Sequence, residues 1–432
     1  MPLGVVTPPA GQPHTPRPSS SNGIVFFLVL SLLAAYLHRF AAATGADVAL
    51  NCTSSSDPCQ QQWLGITCTG NGRVREINLN GRGLRGWVPG AEGNNGIFRY
   101  CSSPSWCSST STAMPSPASR RVLRQHEEAG ICLHQSSFFF KSSSPLYNLD
   151  LANNSLMGPV PNGFHSANIA TLNFTNNYFS GEINFVTHLP SVASIRLNGN
   201  QFTGPLPDFS DLIVLQELDV AHNRLTGVVP ALLPKILTSG SISLAGNLLQ
   251  GPVPQFESEV RDDVAEAAKA GCFCRLDSGP CDPVVDSLLL VAGALHSPLI
   301  LATSWRRNDP CAGWLGVHCS VDKGHRKVTG INLSRLALNG TIDPALASIP
   351  SLKSIVLSGN NITGTIPPAI AKLPSLLILD VSDNALAGKI PRFHRGVEVW
   401  AEGNRGLYSV APPIIKASTS FTLVVAILVF AF

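Results

Sequence analysis

Two cysteine pairs are the residues of this chain whose types and spacing most clearly point to chemistry. Each pair lies in the same Asp-Pro-Cys, Trp-Leu-Gly, Cys pattern, with eight residues between Cys59 and Cys68 and seven between Cys311 and Cys319. Zinc sites space their paired cysteines more closely, so neither pair fits one. Eleven cysteines in 432 residues indicate an oxidising compartment. We therefore predict two short disulfide-closed loops, and the odd total leaves at least one thiol unpaired or paired between chains.

A metal site could also be assembled from the cysteines of "CFC" and three histidines. These residues are Cys272, Cys274, His222, His318 and His325. Their spacings match no metal-binding motif, and histidines scattered over a surface are the commoner arrangement. We predict no metal ligands and no cofactor.

Catalytic groups are equally hard to find. Carboxylates such as Asp219 and Asp380 fall in strand positions and form no recognisable acid and base pair. The sequence also holds no Gly-rich phosphate loop, no H-R-D and no D-F-G. Charged residues make up 13% of the chain and the net charge is +3, which argues against a nucleic-acid partner. We predict that the protein is not an enzyme and has no catalytic residues.

The elements that position the cysteines come from an internal repeat. The pattern L-x-x-L-x-L-x-x-N-x-L-x-G-x-V-P at 146–161 recurs at 169–183, 192–207 and 215–230, with a weaker copy at 239–254. Its asparagine column falls at Asn154, Asn177, Asn200, Asn223 and Asn247. Three further copies occupy 328–342, 352–367 and 376–391. Successive asparagines are 23 or 24 positions apart, and a fixed period of this length is typical of a solenoid.

Each column of the repeat has a physical role. The L-x-L core is one short strand whose inward leucines stack on those of the repeats above and below. The asparagine amide can satisfy backbone groups left free where the strand ends, and the final proline prevents helix continuation. The sequence predicts a right-handed α/β solenoid with a parallel β-sheet on its concave face.

A solenoid exposes its apolar core at its ends and therefore needs caps. Each cysteine pair precedes a first repeat, at 73–89 and 328–342, and Trp63 or Trp314 would cover the end of the core. We predict two blocks, the first at 73–254 after a cap at 44–72 and the second at 328–391. A non-repeat break region with the second cap fills 255–327.

The break region contains a predicted helix. Asp282 can cap it, Pro283 suits its first turn, and Val285, Leu288 and Ala292 line one face. Just before it, "CFCRLDSGPC" offers either Cys272 or Cys274 as a disulfide partner for Cys281, and one of the three is surplus.

The repeats and paired-cysteine caps resemble those of plant leucine-rich-repeat receptor kinases. Within that family, "GNQFTGPLPDFSDL", "GPCDPVVDSLLLVA", "SWRRNDPCAGWLGVHC" and "LDVSDNALAGKIPRF" are similar to the transmembrane-kinase (TMK) subfamily, over about residues 190–406. The resemblance implies two plant-type leucine-rich-repeat blocks in an extracellular hormone-response module that works with apoplastic auxin-binding partners. The family's cytoplasmic kinase is not found in this sequence. Residues 91–145 also depart from the family, and they fit an irregular insert, a translated intron or degenerate repeats.

Both ends of the sequence suggest export. The apolar run at 24–37, followed by Ala41-x-Ala43, fits a signal peptide within a leader of residues 1–43. A tail at 392–420 leads into the apolar stretch 421–432, which fits either a GPI signal or a truncated membrane helix. We expect a secreted or plasma-membrane protein on the extracellular face, with a possible C-terminal tether.

Six N-glycosylation sequons fit this location. They are at Asn51, Asn153, Asn173, Asn332, Asn339 and Asn361. Asn173 and Asn332 fall in strand columns that face the concave side, where a glycan would block part of it.

Recognition is the usual function of such a solenoid, because its concave sheet presents variable residues. Outward positions of neighbouring repeats place Arg196, Glu217, Asp219 and His222 in one mixed-charge patch. We predict that this patch contacts a protein or peptide ligand, or a co-receptor, in the apoplast. The alternatives are a solvated face without a partner, an inhibitor of cell-wall polygalacturonases, and a non-functional fragment of a receptor-kinase gene.

Overall fold

The computed structural model describes residues 41, 44, 58–87, 145–161, 164, 166–271 and 273–408. Several expectations fall outside these residues. They concern the signal segment at 24–37, the insert up to residue 144, Cys272, the sequon at Asn51 and the tail at 421–432. Within the described residues, no helix is both long and apolar enough to cross a membrane.

The first block contains fourteen short strands in the described part of the chain. In chain order, they are β1 (Ile66–Cys68), β2 (Val74–Asn78), β3 (Arg85–Trp87), β4 (Asn148–Asp150), β5 (Ser155–Pro159), β6 (Thr171–Asn173), β7 (Tyr178–Gly181), β8 (Ser194–Arg196), β9 (Gln201–Pro205), β10 (Glu217–Asp219), β11 (Arg224–Val228), β12 (Gly240–Ser243), β13 (Leu248–Gln250) and β14 (Val260–Asp262). β1 and the even-numbered strands form an eight-stranded sheet, and β3 to β13 form a six-stranded sheet from the odd-numbered strands. The chain therefore visits the two sheets alternately, once in each repeat.

The second block repeats this plan on a smaller scale. Its strands are β15 (Val317–Asp322), β16 (His325–Asn332), β17 (Asn339–Thr341), β18 (Ser354–Val356), β19 (Asn361–Thr363), β20 (Ile378–Asp380), β21 (Ala387–Lys389), β22 (Glu398–Trp400) and β23 (Gly406–Tyr408). A five-stranded sheet has the order β15-β16-β18-β20-β22, and β17-β19 and β21-β23 form two small sheets. In each block the first two strands pair antiparallel, as a hairpin that closes the parallel sheet behind it.

Short helices connect these strands. From residue 166 to residue 408 of the described chain, 3₁₀ helices lie at Asn184–His188, Pro344–Ser348 and Ile370–Lys372, and the α-helices are α1 (Leu233–Ile236), α2 (Val264–Lys269), α3 (Pro283–Ala294) and α4 (Leu299–Ser304). The predicted helix of the break region is α3, and the Asp282 side chain caps it by accepting from the Val284 amide at 2.8 Å. Pro283 suits the first turn because its missing N–H is one that would have no partner within the helix. The helix begins where the sequence predicted it.

The break region is bonded to the first block. The Thr226 hydroxyl donates to the carbonyl of Ser297 at 2.7 Å, and the Gln250 amide donates to the carbonyl of Trp305 at 2.6 Å. Thr226 and Gln250 are both buried. The segment that carries α3 and α4 therefore covers part of the six-stranded sheet.

The eight-stranded sheet sets one repeat directly beside the next. Its central aliphatic residues line up in register as Ile77, Leu149, Leu172, Ile195 and Leu218. All five are at most 5% exposed, whereas their neighbours in each strand point to the other face, because side chains alternate along a strand. We call that other face the concave face of the block.

The asparagine column forms a ladder through both blocks. At Asn200, Nδ2 donates to the carbonyls of Phe174 and Leu197 at 2.8 and 3.0 Å, and Oδ1 accepts from the Phe179 amide at 2.9 Å. The same arrangement recurs at Asn154, Asn177, Asn223, Asn247, Asn360 and Asn384. Each amide thus pairs backbone groups that would otherwise be buried without a partner, which confirms the role predicted for the column.

The first repeat lies directly against the repeat that begins at residue 146. β2 pairs in parallel with β4, and β3 with β5. The Asn154 side chain also bonds the backbone of Leu79 and Leu84, 75 and 70 positions earlier. Because neighbouring strands of a sheet leave no room for another between them, the structure excludes degenerate repeats stacked between these two.

Both blocks extend beyond their predicted ends. After residue 254, β14 still pairs with β12, and the Asp263 carboxylate accepts from the amides of Leu244 and Ala245. After residue 391, β22 pairs with β20 and β23 with β21. Asn404 adds a further rung to the ladder by donating to the Val381 carbonyl at 2.8 Å. Residues 392–408 are therefore a repeat, where the sequence had predicted a tail.

Candidate interaction surface

Three disulfides lie within the described residues. They join Cys59 to Cys68, Cys274 to Cys281 and Cys311 to Cys319, with Cα–Cα distances of 5.8, 5.8 and 5.7 Å. Trp63 and Trp314 are 2% and 4% exposed, and Trp314 stacks on Trp305 with ring centroids 5.4 Å apart. The cysteine pairs thus fix loops that hold an indole against the end of each core. The described residues contain no cluster of metal-ligating side chains.

Of the four residues predicted to form a patch, Arg196 and Glu217 are in direct contact. Arg196 lies on β8 and Glu217 on the adjacent β10. The guanidinium donates through Nε and Nη2 to the two carboxylate oxygens, each at 2.8 Å, and the Ser194 hydroxyl donates to Oε2 at 2.7 Å. A two-point contact of this kind fixes both side chains in one orientation.

The surroundings of Arg196 and Glu217 shift the pKa values of both side chains. Burial alone would raise the pKa of Glu217, but hydrogen bonds from Arg196 and Ser194 outweigh it and hold that pKa below its ordinary value of 4.5. The hydrogen bond to Glu217 raises the pKa of Arg196 above its usual value. Both groups are therefore charged at neutral pH.

Asp219 lies in the same column of the sheet as Arg196 and behaves differently. Its Cα is the register partner of Arg196, and its Oδ1 accepts from the Ala221 amide at 3.2 Å. Burial raises the pKa of Asp219 above 3.8, and the negative charges of Asp263 and Glu217 raise it further. A positively charged group from a partner would therefore stabilise the ionised form of Asp219.

His222 lies beside the patch rather than within it. It follows the strand in a turn, with φ of 53°, and a Cβ built on Gly246 would lie 2.6 Å from its Nδ1. The turn position just before the ladder asparagine has positive φ in neighbouring repeats as well, at Asn153, Asn176, Gly199, Gly246 and Asp383. The imidazole is thus placed at the edge of the concave face by the backbone of the turn.

A column of side chains that the sequence reasoning missed runs along both concave faces. One side-chain oxygen at each position accepts the backbone N–H two residues later. The members are Asn78, Asp150, Asn173, Asp219, Asn332 and Asp380. This contact ends each strand locally, so Asn or Asp in the column has a structural role before any role in binding. The signal was visible in the sequence as Asp or Asn between the two inward residues of a strand, as in Leu-Asp-Leu at 149–151 and Leu-Asn-Phe at 172–174.

The described sequons occupy three kinds of position. Asn173 lies on β6 in register with Arg196, and Asn332 lies on β16, so both face the concave side as predicted. Asn153 and Asn361 are exposed. Asn339 contacts the Nδ1 of His296 through its Oδ1 at 2.9 Å. A glycan on Asn173 would stand next to Arg196.

Comparison with known families agrees with this geometry. The Leucine Rich Repeat family matches residues 214–236 and 351–373, and the leucine rich repeat N-terminal domain family matches residues 51–69 and 285–320. The second family coincides with the two disulfide caps. The chain contains leucine-rich repeats.

Plant receptor-like kinases are relatives of this leucine-rich-repeat chain. Receptor-like kinase TMK4 of Arabidopsis thaliana is 39% identical over 135 residues, which cover 31% of this chain and 14% of the kinase. Receptor protein kinase WSS1 of Oryza sativa subsp. japonica is 40% identical over 126 residues, which cover 29% of this chain and 13% of the kinase. The resemblance to the TMK subfamily is confirmed, over a small part of each kinase's length.

A solved structure aligns over more of the leucine-rich-repeat chain. The ectodomain of the receptor kinase GASSHO1/SCHENGEN3 from Arabidopsis thaliana, crystallised in complex with CASPARIAN STRIP INTEGRITY FACTOR 2, is 22% identical. The alignment covers 83% of this chain and 36% of that chain, with a TM-score of 0.35.

Proposed function

We propose that this chain is an extracellular recognition module of a receptor-like protein in plant cell-surface signalling and that it acts without catalysis. Its partner is a protein or peptide of the apoplast, or a co-receptor. The proposal includes a secreted or plasma-membrane location, with a tether through the C-terminal tail.

The observation that carries the proposal is the ion pair of Arg196 and Glu217 on the concave face. The core is formed by the opposite side of the sheet, so the fold does not need these side chains for burial. They are held by each other and by Ser194 in one orientation, which lowers the entropy lost when a partner binds. Asp219 beside them remains available for a positive group.

The sequence relationship to TMK4 supports a further step. The resemblance to the TMK subfamily extends the proposal to auxin-related signalling, with an apoplastic binding protein as the partner. The two-block architecture, with a helical segment and a second disulfide cap between the blocks, differs from the unbroken solenoid of polygalacturonase inhibitors. It therefore favours the receptor class over the inhibitor class.

The test is a binding isotherm on plant protoplasts. The full chain is secreted with a tag, labelled, and added with and without unlabelled competitor. We expect saturable binding that falls at least about tenfold when Arg196, Glu217, Asp219 and His222 are all changed to alanine. Unchanged binding by this variant would show that the patch is not the binding surface. Wild-type binding that does not saturate would overturn the recognition function.

A matched control is present in the chain. Arg275, Asp277, Asp322 and His325 have nearly the same side-chain chemistry, are exposed, and include the ion pair of Arg275 and Asp277. Alanine at these four positions should leave the isotherm unchanged. Inhibition of a purified fungal polygalacturonase by the wild-type chain would instead support the inhibitor function.

A further inference from the structure

The last coil of the second block covers the core less completely than the coil before it. Leu379 and Val381 are fully buried, whereas Val399 and Ala401, at the corresponding positions of the next strand, are only partly buried against the core. β22 and β23 are the last strands of their sheets in the described part of the chain. This coil is therefore the end of the block that lies nearest to the C-terminal sequence.

Exposed basic side chains lie along the outer side of this coil. On β21, Lys389 is exposed and the preceding Gly388 is half-buried, so the lysine points away from the core. Arg392 and Arg395 follow in the connection to β22, and both are exposed. Between them, Phe393 packs against the core, which anchors the connection. We call Lys389, Arg392 and Arg395 the basic rim.

The basic rim is not neutralised by neighbouring carboxylates. Ion pairs in the described residues involve the basic side chains of Arg196, Lys269, Arg275, Arg326 and Lys327. None of them includes a rim side chain. The exposed carboxylates of the same coils, Glu398 and Glu402, lie on β22 and just after it, in the sheet opposite to that of Lys389. The rim is therefore open to an anionic partner.

An exposed aromatic side chain lies beside the rim. Tyr408 is the register partner of Lys389 between β21 and β23, and it is 58% exposed. Tyrosine combines an apolar ring with a polar hydroxyl and is enriched where proteins meet the boundary between membrane and water. Lysine and arginine near such a boundary are attracted to anionic lipid head groups. The two features together are typical of a surface that contacts a membrane.

The sequence after Tyr408 keeps this surface close to the proposed tether. Residues 409–420 separate it from the apolar stretch 421–432. Even when fully extended, a segment of that length spans only about 40 Å. If the apolar stretch enters a bilayer, the last coil stays within this distance of the lipid surface. A lipid head group is therefore a better match to the rim than an anion in solution.

We propose that the C-terminal end of the second block docks on an anionic lipid surface, with the basic rim against the head groups and Tyr408 at the interface. This inference rests on the tethered form of the proposed function and adds an orientation to it. Because the rim lies on the sheet opposite β20 and β22, docking leaves the concave face of the second block open to a partner.

The experiment measures how the full chain partitions onto sedimented vesicles. One set is phosphatidylcholine, and the other is an equimolar mixture of phosphatidylcholine and phosphatidylserine. The apolar tail is present with both, so the ratio of the two partition coefficients reports the effect of charge. We expect a preference for the anionic vesicles of at least about tenfold at low salt, which falls as added salt screens the charges. Lys389→Gln, Arg392→Gln and Arg395→Gln together should reduce it at least about fivefold.

The matched control combines Arg82→Gln, Arg224→Gln and Lys235→Gln, which remove the same types of exposed charge from the first block and should keep the preference. Thermal melting checks that both variants fold. Equal partitioning of the wild-type chain onto the two sets would overturn the proposal. So would a preference that survives in the rim variant, or an equal loss in the control, which would make the net charge of the chain responsible.

Two further readings separate this proposal from its alternatives. Retention of the wild-type chain on immobilised polygalacturonate, without a preference between the vesicles, would overturn lipid docking and assign the rim to an acidic cell-wall polymer. Partitioning onto the neutral vesicles reports the tail by itself, so failure of the tether is distinguished from failure of the rim. Because the vesicles contain no protein, the result is also independent of whether the chain binds protoplasts.

Discussion

Asn154 is hydrogen-bonded to Leu79 across 75 positions of sequence, with Nδ2 donating to the Leu79 carbonyl at 2.8 Å. This contact closes the ladder between the first repeat and the rest of the block. The polypeptide between them is therefore not needed as a spacer within the solenoid.

The first prediction concerns removal of that polypeptide. Deleting residues 95–141 leaves as many residues between Trp87 and Asn148 as lie between Met157 and Thr171 in the next repeat. Since each halving of a loop recovers about 0.6 kcal/mol of closure entropy, we expect an unfolding free energy about 1 kcal/mol higher. Urea unfolding measures it. Loss of cooperative unfolding would contradict the direct packing of these repeats.

A second prediction tests the asparagine ladder. Asn223→Ala removes the partners of the Phe202 amide and of the Leu197 and Val220 carbonyls. Leaving such buried groups unpaired should lower the unfolding free energy by about 3 kcal/mol. Asn184→Ala is the control, because Asn184 is exposed and bonds only the Glu182 carboxylate among its described side-chain contacts. Similar decreases in the unfolding free energy of the two variants would show that a ladder asparagine stabilises the fold no more than an exposed one does.

The third prediction compares two carboxylates at two pH values. The pKa of Glu217 is lowered, so its contribution is present above pH 4.5 and disappears as the pH falls through the folded-state value. The pKa of Asp219 is raised, so its ionisation as pH rises costs stability. At pH 7, Glu217→Gln should destabilise and Asp219→Asn should stabilise, each by at most about 1 kcal/mol.

Both differences should shrink toward zero at acid pH, where the wild-type carboxylates are protonated. Urea midpoints at neutral and acid pH give the comparison. An effect of either variant that is the same at both pH values would show that lost packing, rather than charge, is responsible.

The fourth prediction concerns cysteine pairing in the purified protein. Peptide mapping under non-reducing conditions should find Cys59 with Cys68, Cys274 with Cys281, and Cys311 with Cys319. Alanine at both Cys311 and Cys319 should cost about 2–3 kcal/mol, with the Trp305 and Trp314 stack left unsupported. A linkage through Cys272 instead of Cys274 would contradict the arrangement of the break region.

A fifth prediction uses glycosylation as a probe of the concave face. Asn173 is the register partner of Arg196, so a glycan there would cover the patch. If the site is occupied, Asn173→Gln should increase protoplast binding, while Asn361→Gln in the second block should not. Mass spectrometry establishes whether Asn173 carries a glycan. If it carries none, reduced binding by the Asn173→Gln variant would indicate that the Asn173 side chain itself contacts the partner.

Much of this fold is predictable because the repeat has a strict period. The asparagines and strand leucines fix strand position, pairing order and the buried face without any long-range information. The last repeat, 392–408, was missed because Val399 and Ala401 take the positions of Leu379 and Val381, although Asn404 keeps its place in the ladder. These smaller residues are only partly buried against the core and give a weaker signal.

The candidate surface was predictable only where alternation along a strand determines it. That rule correctly brings Arg196, Glu217 and Asp219 together, whereas His222 stands apart because a turn with positive φ interrupts the alternation. The position of Lys389 beside Tyr408 depends on register between β21 and β23. It could not be inferred while residues 392–420 were assigned to a tail.

The bonds from Thr226 to Ser297 and from Gln250 to Trp305 have a consequence for biosynthesis. Their partners lie 71 and 55 positions later in the chain. As the polypeptide leaves the ribosome, the repeats of the first block emerge while the segment that covers their six-stranded sheet is still being made. Until Trp305 has been synthesised, Thr226 and Gln250 lack these partners, and a chaperone could hold this sheet during that interval.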